Sequence, residues 1–437
     1  MDTSATSRAL AYVTAGYAAA FADPNRPICH FTPPSKWMND PNGTIFHRGW
    51  FHLFYQHNPF GDQWGFMHWG HARSHDLIHW EHLPIALAPA VELGEEHCFS
   101  GCIAVDHEGT PRLFYTSVPF NGGRYAQWRA SPMDEDLLTW QRDQMPVFPE
   151  PLAHGQDARD PFIFRHQGRT FLIYGAAQGP RSTIPLWEAE DGDLSRLVSR
   201  GEFFSLPQAQ MPFCECPNVL PVGDKMLLLL SPFRAVEWRL GTFDGQRFVE
   251  ERLGRLDLHD HFYATNTLLD EQGRIVVVGW IRGFKIGTGW NGCLALPRLI
   301  EPDAVAGIRQ RLHPCVAGLR LGVPIEWSGL LVGEKILVVD AGRTVEVQLR
   351  SSGAFTMRLA GIPLRWDGRF LTVGEGNYEV LAGDFHIIVD RTTVEVFADA
   401  GRTVITQVVY AADVQETAVI AADGAQITIS LQRLARG

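Results

Sequence analysis

At 437 residues the chain is too long for one ordinary hydrophobic core and fits two domains better. Its 45% hydrophobic and 20% charged content is that of a soluble globular protein. A net charge of −11 with no Lys/Arg-dense stretch excludes nucleic acid as a partner, because nothing is available to displace counterions from phosphates. Nor does any stretch reach transmembrane length, so no membrane partner is expected.

The elements follow in chain order. Arg8, the apolar run from Ala9 to Ala22 and the closing Ala20-Phe21-Ala22 mimic a signal peptide. Leu10, Val13, Tyr17 and Phe21 nevertheless recur at helical spacing, which predicts an amphipathic helix packed on the fold and ended by Asp23-Pro24. Residues 1–28 are therefore read as an N-terminal helical segment. The expected location is the cytoplasm; a chain cleaved after Ala22 would instead be secreted or periplasmic. Seven cysteines, odd in number and without metal-ligand spacing, predict reduced, buried thiols, in keeping with a reducing compartment.

From Cys29 onward short apolar stretches alternate with Gly, Pro, Asn and Asp clusters. Thr44–Phe46, Phe51–Gln56, Gly101–Val105, Arg112–Ser117, Phe162–Phe164, Phe171–Gly175, Met226–Ser231 and Arg274–Ile281 read as strands. His30-Phe31 reads as strand too. The pattern makes residues 29–312 an all-β unit, and period alone leaves sandwich, barrel and propeller open. After about residue 320 strict alternation takes over, as in Thr344–Leu349, Phe385–Val389, Thr393–Phe397, Val404–Tyr410 and Gln426–Leu431. Alternation gives one buried and one wet face, so residues 320–437 are predicted to form a β-sandwich.

The chemistry gathers around Trp37-Met38-Asn39-Asp40-Pro41-Asn42-Gly43. Pro41 biases Asp40 toward an extended backbone, and Asn42-Gly43 is a turn pair able to take positive φ. A carboxylate fixed beside an aromatic ring and an amide suits a polyhydroxylated ligand; alone, the run would also serve as a turn whose Asp satisfies backbone N–H groups. Downstream stand Phe51–Pro59, Trp64–His71, Phe99-Ser100-Gly101, Ala158-Arg159-Asp160-Pro161, Cys214-Glu215-Cys216-Pro217-Asn218 and Trp290–Arg298. In content, order and spacing these segments resemble glycoside hydrolase family 32, the invertases, inulinases, levanases and other β-fructosidases. The resemblance runs from about Phe31 to Arg298 and resumes at Val394–Phe397.

That resemblance implies a five-bladed β-propeller with the active site in its central funnel, followed by a supporting β-sandwich. It implies Asp40 as nucleophile, Glu215 as acid/base and Asp160 as a transition-state stabiliser that binds fructosyl hydroxyls. Retaining glycosidases set two carboxyl groups about 5–5.5 Å apart. At ~5 Å and an effective dielectric near 20, two carboxylates repel by ~3 kcal/mol, so one of them tends to hold a proton near neutrality. For the fructose subsite the resemblance adds Asn39, Gln56, Trp64, Phe99 and Ser100, with Arg159 beside Asp160, Tyr263 facing the funnel and Trp37 and Trp290 as an apolar wall. Two positions depart from the family pattern: Cys214, where Trp is common, and Cys102, where Ser is common. Both leave the substrate range open on the leaving-group side.

No cofactor and no catalytic metal are expected. The histidines between His57 and His82 lack a zinc-protease i, i+4 pair, and Gly287-Thr288-Gly289 is followed by Trp290 rather than by the Lys-Ser/Thr of a phosphate loop. The leading expectation is a retaining β-fructofuranosidase acting on sucrose and short fructo-oligosaccharides. A fructosyltransferase or a fructan (inulin or levan) hydrolase would share all three acids. A non-catalytic carbohydrate-binding propeller would have lost at least one, and none is lost.

Overall fold

The computed structural model describes residues 3–148, 157–338, 342–411 and 418–437. Met1 and Asp2 of the predicted N-terminal segment lie outside them. Five four-stranded antiparallel sheets stand around one axis as propeller blades. Blade one holds Lys36–His47, Trp50–Asn58, His68–Ser74 and Trp80–Leu87; blade two holds Glu95–Val105, Pro111–Pro119, Ala126–Pro132 and Trp140–Arg142. Blade three holds Arg159–His166, Arg169–Gln178, Arg181–Ala189 and Leu197–Pro207, and blade four Glu215–Val222, Lys225–Ser231, Glu237–Phe243 and Phe248–Arg255. Blade five is Phe262–Leu269, Ile275–Ile281, Arg298–Asp303 and Gly307–Leu312. The predicted propeller strands from Thr44 onward fall inside these, Arg274–Ile281 beginning one residue later at Ile275. His30-Phe31, read as strand, is irregular instead, because the Cys29 and His30 N–H groups donate to the Asp390 carboxylate rather than to a neighbouring strand.

The ring is closed by Trp290–Asn291, inserted within blade five, which pairs in parallel with Lys36–Trp37 at the start of blade one. Gly292 is required at this join: at φ 85, a Cβ there would overlap the Met38 carbonyl oxygen. Between blades the core is dense in aromatic rings, with Phe164, Phe171, Phe203 and Phe243 in mutual contact between blades three and four.

The second unit is one continuous ten-stranded sheet folded over its own core rather than two separate sheets. The long strand Ala418–Leu434 makes the fold possible. Its first part pairs with Phe355–Leu359 and its second part with Thr344–Ser351, so it belongs to both layers. Alternate residues Val345, Val347, Leu349, Ile387, Val389, Val394 and Val396 fill the space between the layers, as the alternation predicts.

The predicted N-terminal helix is present as Thr3–Ala22, but its buried face differs from the expected stripe. Ala9, Val13, Gly16 and Ala20 are buried, whereas Tyr17 is 37% and Phe21 49% exposed. Small residues win because the helix lies close to the propeller: Ser35 Oγ donates to the Val13 carbonyl, and a Cβ at Gly16 would overlap the Ser35 side chain. Tyr12 packs edge-on against Phe60 instead. No helix of the described residues is long and apolar enough to cross a membrane.

Candidate active site

The five innermost strands share one irregularity near their starts. Pairing register shifts between Met38 and Pro41, Phe99 and Gly101, opposite Ile173–Gly175 at Asp160, between Glu215 and Asn218, and between Tyr263 and Thr265. A bulge breaks the alternation of faces and re-aims a side chain. Asp160, Cys216 and Ala264 take φ values of 65, 48 and 45 there, a left-handed backbone that costs a non-glycine residue of order 1–3 kcal/mol. At blade two Gly101 follows the bulge, since a Cβ would overlap the Phe114 carbonyl. The repeated bulge gathers Asp40, Ser100, Asp160, Glu215 and Cys216 at one point of the axis.

Asp40 is held by a closed polar ring. Ser100 Oγ donates to Asp40 Oδ2 at 2.5 Å and Asn39 Nδ2 to Oδ1 at 3.0 Å. Asn39 Nδ2 also donates to Gln56 Oε1 (2.9 Å), and Gln56 Nε2 to Ser100 Oγ (2.6 Å). Trp37 Nε1 donates to Asn39 Oδ1 at 2.8 Å. Four of the predicted subsite residues therefore orient the carboxylate directly or through one partner.

Across the funnel, Glu215 Oε1 accepts from Arg159 Nε (3.2 Å) and Nη2 (3.0 Å), and Oε2 lies 2.5 Å from Tyr263 Oη. Asp160 Oδ2 accepts from the Cys216 backbone N–H at 2.9 Å and lies 3.9 Å from Arg159 Nε. The Cys216 thiol stands 3.7 Å from both Asp40 Oδ2 and Asp160 Oδ2. Arg159 itself is held by Asp157 and by stacking 4.0 Å over Phe213.

Burial raises all three carboxyls. Asp160 is pushed up to about 7: after burial, the charges of Glu215 and Asp40 act with it and Arg159 against it. Glu215 is raised by burial and by Asp40, with Arg159 and Tyr263 opposing. Asp40 is raised by burial against the hydrogen bonds of Ser100, Asn39 and Cys216. Asp160 and Glu215 share the Arg159 guanidinium and both feel the charge of Asp40, so the pair retains protons toward neutrality and titrates together.

Trp37 meets Trp280 edge-on at 5.7 Å, and Trp280 stands 6.5 Å from Tyr263. Trp64, 53% exposed, packs at the rim with Phe99 and His97. The predicted wall residue Trp290 needs correction. It is 1% exposed, packs on Phe284 and donates its Nε1 to Asp23 Oδ2, so ring closure and the N-terminal segment have claimed it; Trp280 stands beside Trp37 instead. Both departures from the family pattern are core residues: Cys102 and Cys214 are buried in the hydrophobic cluster of blades two to four, Cys214 accepting from Ser182 Oγ. Sequence reasoning left out Cys216, Trp280, Phe213 and Thr116, whose Oγ1 accepts from the Asp160 N–H. A signal existed for Cys216: Asp40-Pro41-Asn42 and Cys216-Pro217-Asn218 share a Pro-Asn step, and Asn42 and Asn218 both hydrogen-bond at the axis.

The chain also matches known proteins in family and fold. The model of the glycosyl hydrolases family 32 N-terminal domain matches residues 30–311, and that of the family 32 C terminal matches residues 335–434. The chain therefore belongs to glycosyl hydrolase family 32. A sucrose-6-phosphate hydrolase of Klebsiella pneumoniae is 32% identical over 428 residues, covering 90% of each chain. One from Zymomonas mobilis subsp. mobilis is 33% identical over 307 residues, and that match spans 59% of its length. A Bombyx mori GH32 β-fructofuranosidase structure superposes with a TM-score of 0.86 at 23% identity, covering 100% of this chain and 99% of its own.

Proposed function

We propose that the protein is a retaining β-fructofuranosidase that releases the fructosyl unit of sucrose and short fructo-oligosaccharides. The observation that carries this reading is the convergence of the three acids at the propeller axis, with the Cys216 thiol 3.7 Å from both Asp40 and Asp160 and the Arg159 guanidinium beside Asp160 and Glu215. In the proposed reaction Asp40 attacks the anomeric carbon while Glu215 protonates the departing oxygen, leaving a fructosyl ester on Asp40. Glu215, now ionised, takes a proton from water, which attacks the same carbon and frees Asp40. Asp160, with Arg159 beside it, binds sugar hydroxyls and faces the positive charge that builds on the ring. The roles of Asn39, Gln56, Ser100 and Trp37 are to aim Asp40; Trp64 and Phe99 supply apolar surface to the sugar. Residues 29–312 carry the chemistry in this proposal and residues 320–437 support them.

Proton NMR of the first product tests the reading, with β-fructofuranose expected first and the α anomer first refuting retention. Glu215→Gln should slow sucrose cleavage ~10²–10⁴-fold, the usual contribution of a general acid/base, yet spare a fructoside whose leaving group needs no proton. The names of the relatives favour sucrose 6-phosphate as a second substrate, and product profiles on sucrose, its 6-phosphate, inulin and levan decide the range. A cytoplasmic location is proposed on the seven free cysteines.

A further inference from the structure

Tyr263 sits at a point of conflict among hydrogen-bond acceptors. Its Oη lies 2.5 Å from Glu215 Oε2, 2.7 Å from the Ser231 carbonyl oxygen and 3.0 Å from the Phe233 backbone nitrogen. A phenol has one hydrogen to give and accepts through its oxygen. The Phe233 N–H can only donate, so it takes up an acceptor position on Oη. The Ser231 carbonyl can only accept. Glu215 accepts when ionised and donates when protonated. One hydrogen cannot serve both the Ser231 carbonyl and an ionised Glu215.

The protonation of Glu215 decides which acceptor the hydrogen serves. With Glu215 protonated, its O–H donates to Oη and the tyrosine donates to Ser231. With Glu215 ionised, the tyrosine turns its hydrogen to Oε2. The surroundings hold the ring still while the hydroxyl turns. Tyr263 is 5% exposed, the Arg282 guanidinium lies 4.5 Å over its ring, and Phe233 takes φ 60 to aim its N–H. Ser231 and Glu215 are direct partners on neighbouring strands, so the two competing acceptors are fixed relative to each other.

We propose that Tyr263 is a positioning residue for the acid/base, its hydroxyl turning between Ser231 and Glu215 as that carboxyl gains and loses its proton. The inference rests on the acid/base role given above to Glu215. In the first half-reaction the Glu215 proton passes to the glycosidic oxygen, the bond from that oxygen to the anomeric carbon breaks with its electron pair left on the oxygen, and Asp40 bonds to the carbon. Tyr263 turns toward the new carboxylate and stabilises it as it forms, since a hydrogen bond to an anion is stronger than one to a neutral carbonyl. In the second half-reaction water gives its proton to Glu215 and the hydroxyl turns back. The tyrosine loses no proton at either step.

Tyr263→Phe keeps the ring and its packing and removes only the hydroxyl. The kcat/KM for sucrose should fall roughly 10- to 100-fold, the range of one hydrogen bond to a charged group. The alkaline limb of its pH profile should move to higher pH, because the ionised carboxyl loses a donor. A fructoside whose leaving group needs no proton should keep its first step. Equal losses on both substrates, or an unmoved limb, would reduce Tyr263 to a structural part and overturn the proposal. Neutron diffraction of the wild-type protein below and above that limb reads the turn itself: the deuterium should point to Ser231 at the lower pH and to Glu215 at the higher, and one orientation at both contradicts it. If Glu215→Gln reduces both substrates equally, the acid/base assignment has failed rather than the turn.

Discussion

His30 offers a stability prediction that can be worked from the structure. Its Nδ1 lies 2.9 Å from Asp390 Oδ2 and its Nε2 2.9 Å from Glu395 Oε1, with all three side chains sealed from solvent. Asp390 and Glu395 belong to the sandwich, and Glu395 continues to Arg298 of blade five, which pairs with Asp257. Burial alone would depress His30, but the two carboxylates outweigh it and raise the imidazole from 6.5 to about 9. A group raised in the folded state stabilises fully below its unfolded pKa and loses that contribution as pH rises through the folded one. The link is therefore intact below about 6.5 and gone above about 9, a change of roughly 3 kcal/mol. His30→Gln cannot carry the charge and leaves two buried carboxylates short of a cation, for which about 3–5 kcal/mol is expected near neutrality. Urea unfolding from pH 6 to 10 should show wild-type stability falling across this window and the variant both lower and flatter. A wild-type slope equal to the variant's, or a variant within about 1 kcal/mol of wild type at pH 6.5, would refute the reasoning.

Ser100→Ala removes a donor to Asp40, so its carboxyl should rise further and the acidic limb of kcat/KM should move to higher pH. An unmoved limb would mean that Asp40 is not the group titrating there. Gly101→Ala forces a Cβ into the Phe114 carbonyl between two paired strands, and thermal unfolding should show a loss of about 1–3 kcal/mol, with a neutral result contradicting the packing at that bulge.

Much of this was legible in the sequence because strands announce themselves through alternation and turn residues. The three acids were legible through their motifs. What stayed hidden depends on tertiary fit. His30-Phe31 reads as strand, yet His30 lies between units far apart in sequence and its partners Asp390 and Glu395 look like ordinary polar positions on alternating strands. The N-terminal helix was visible by its spacing, but close approach to Ser35 favoured Ala9, Val13, Gly16 and Ala20 over the larger side chains. Trp290 carried a family motif, and no periodicity signals that Asp23 would bind its indole. The five bulges are equally silent, since neither Cys216 nor Ala264 is a residue that favours positive φ.

The central claim is that Asp40 becomes covalently bound to fructose while Glu215 manages the proton. The most direct measurement uses the Glu215→Gln variant with a fructoside whose leaving group needs no proton, quenched in acid during turnover and digested for mass spectrometry. The first step should proceed and the second stall, so the peptide containing Trp37–Gly43 should carry one fructosyl residue on Asp40. A fructosyl residue found on Asp160, or turnover with no adduct accompanied by the α anomer as first product, would contradict the account.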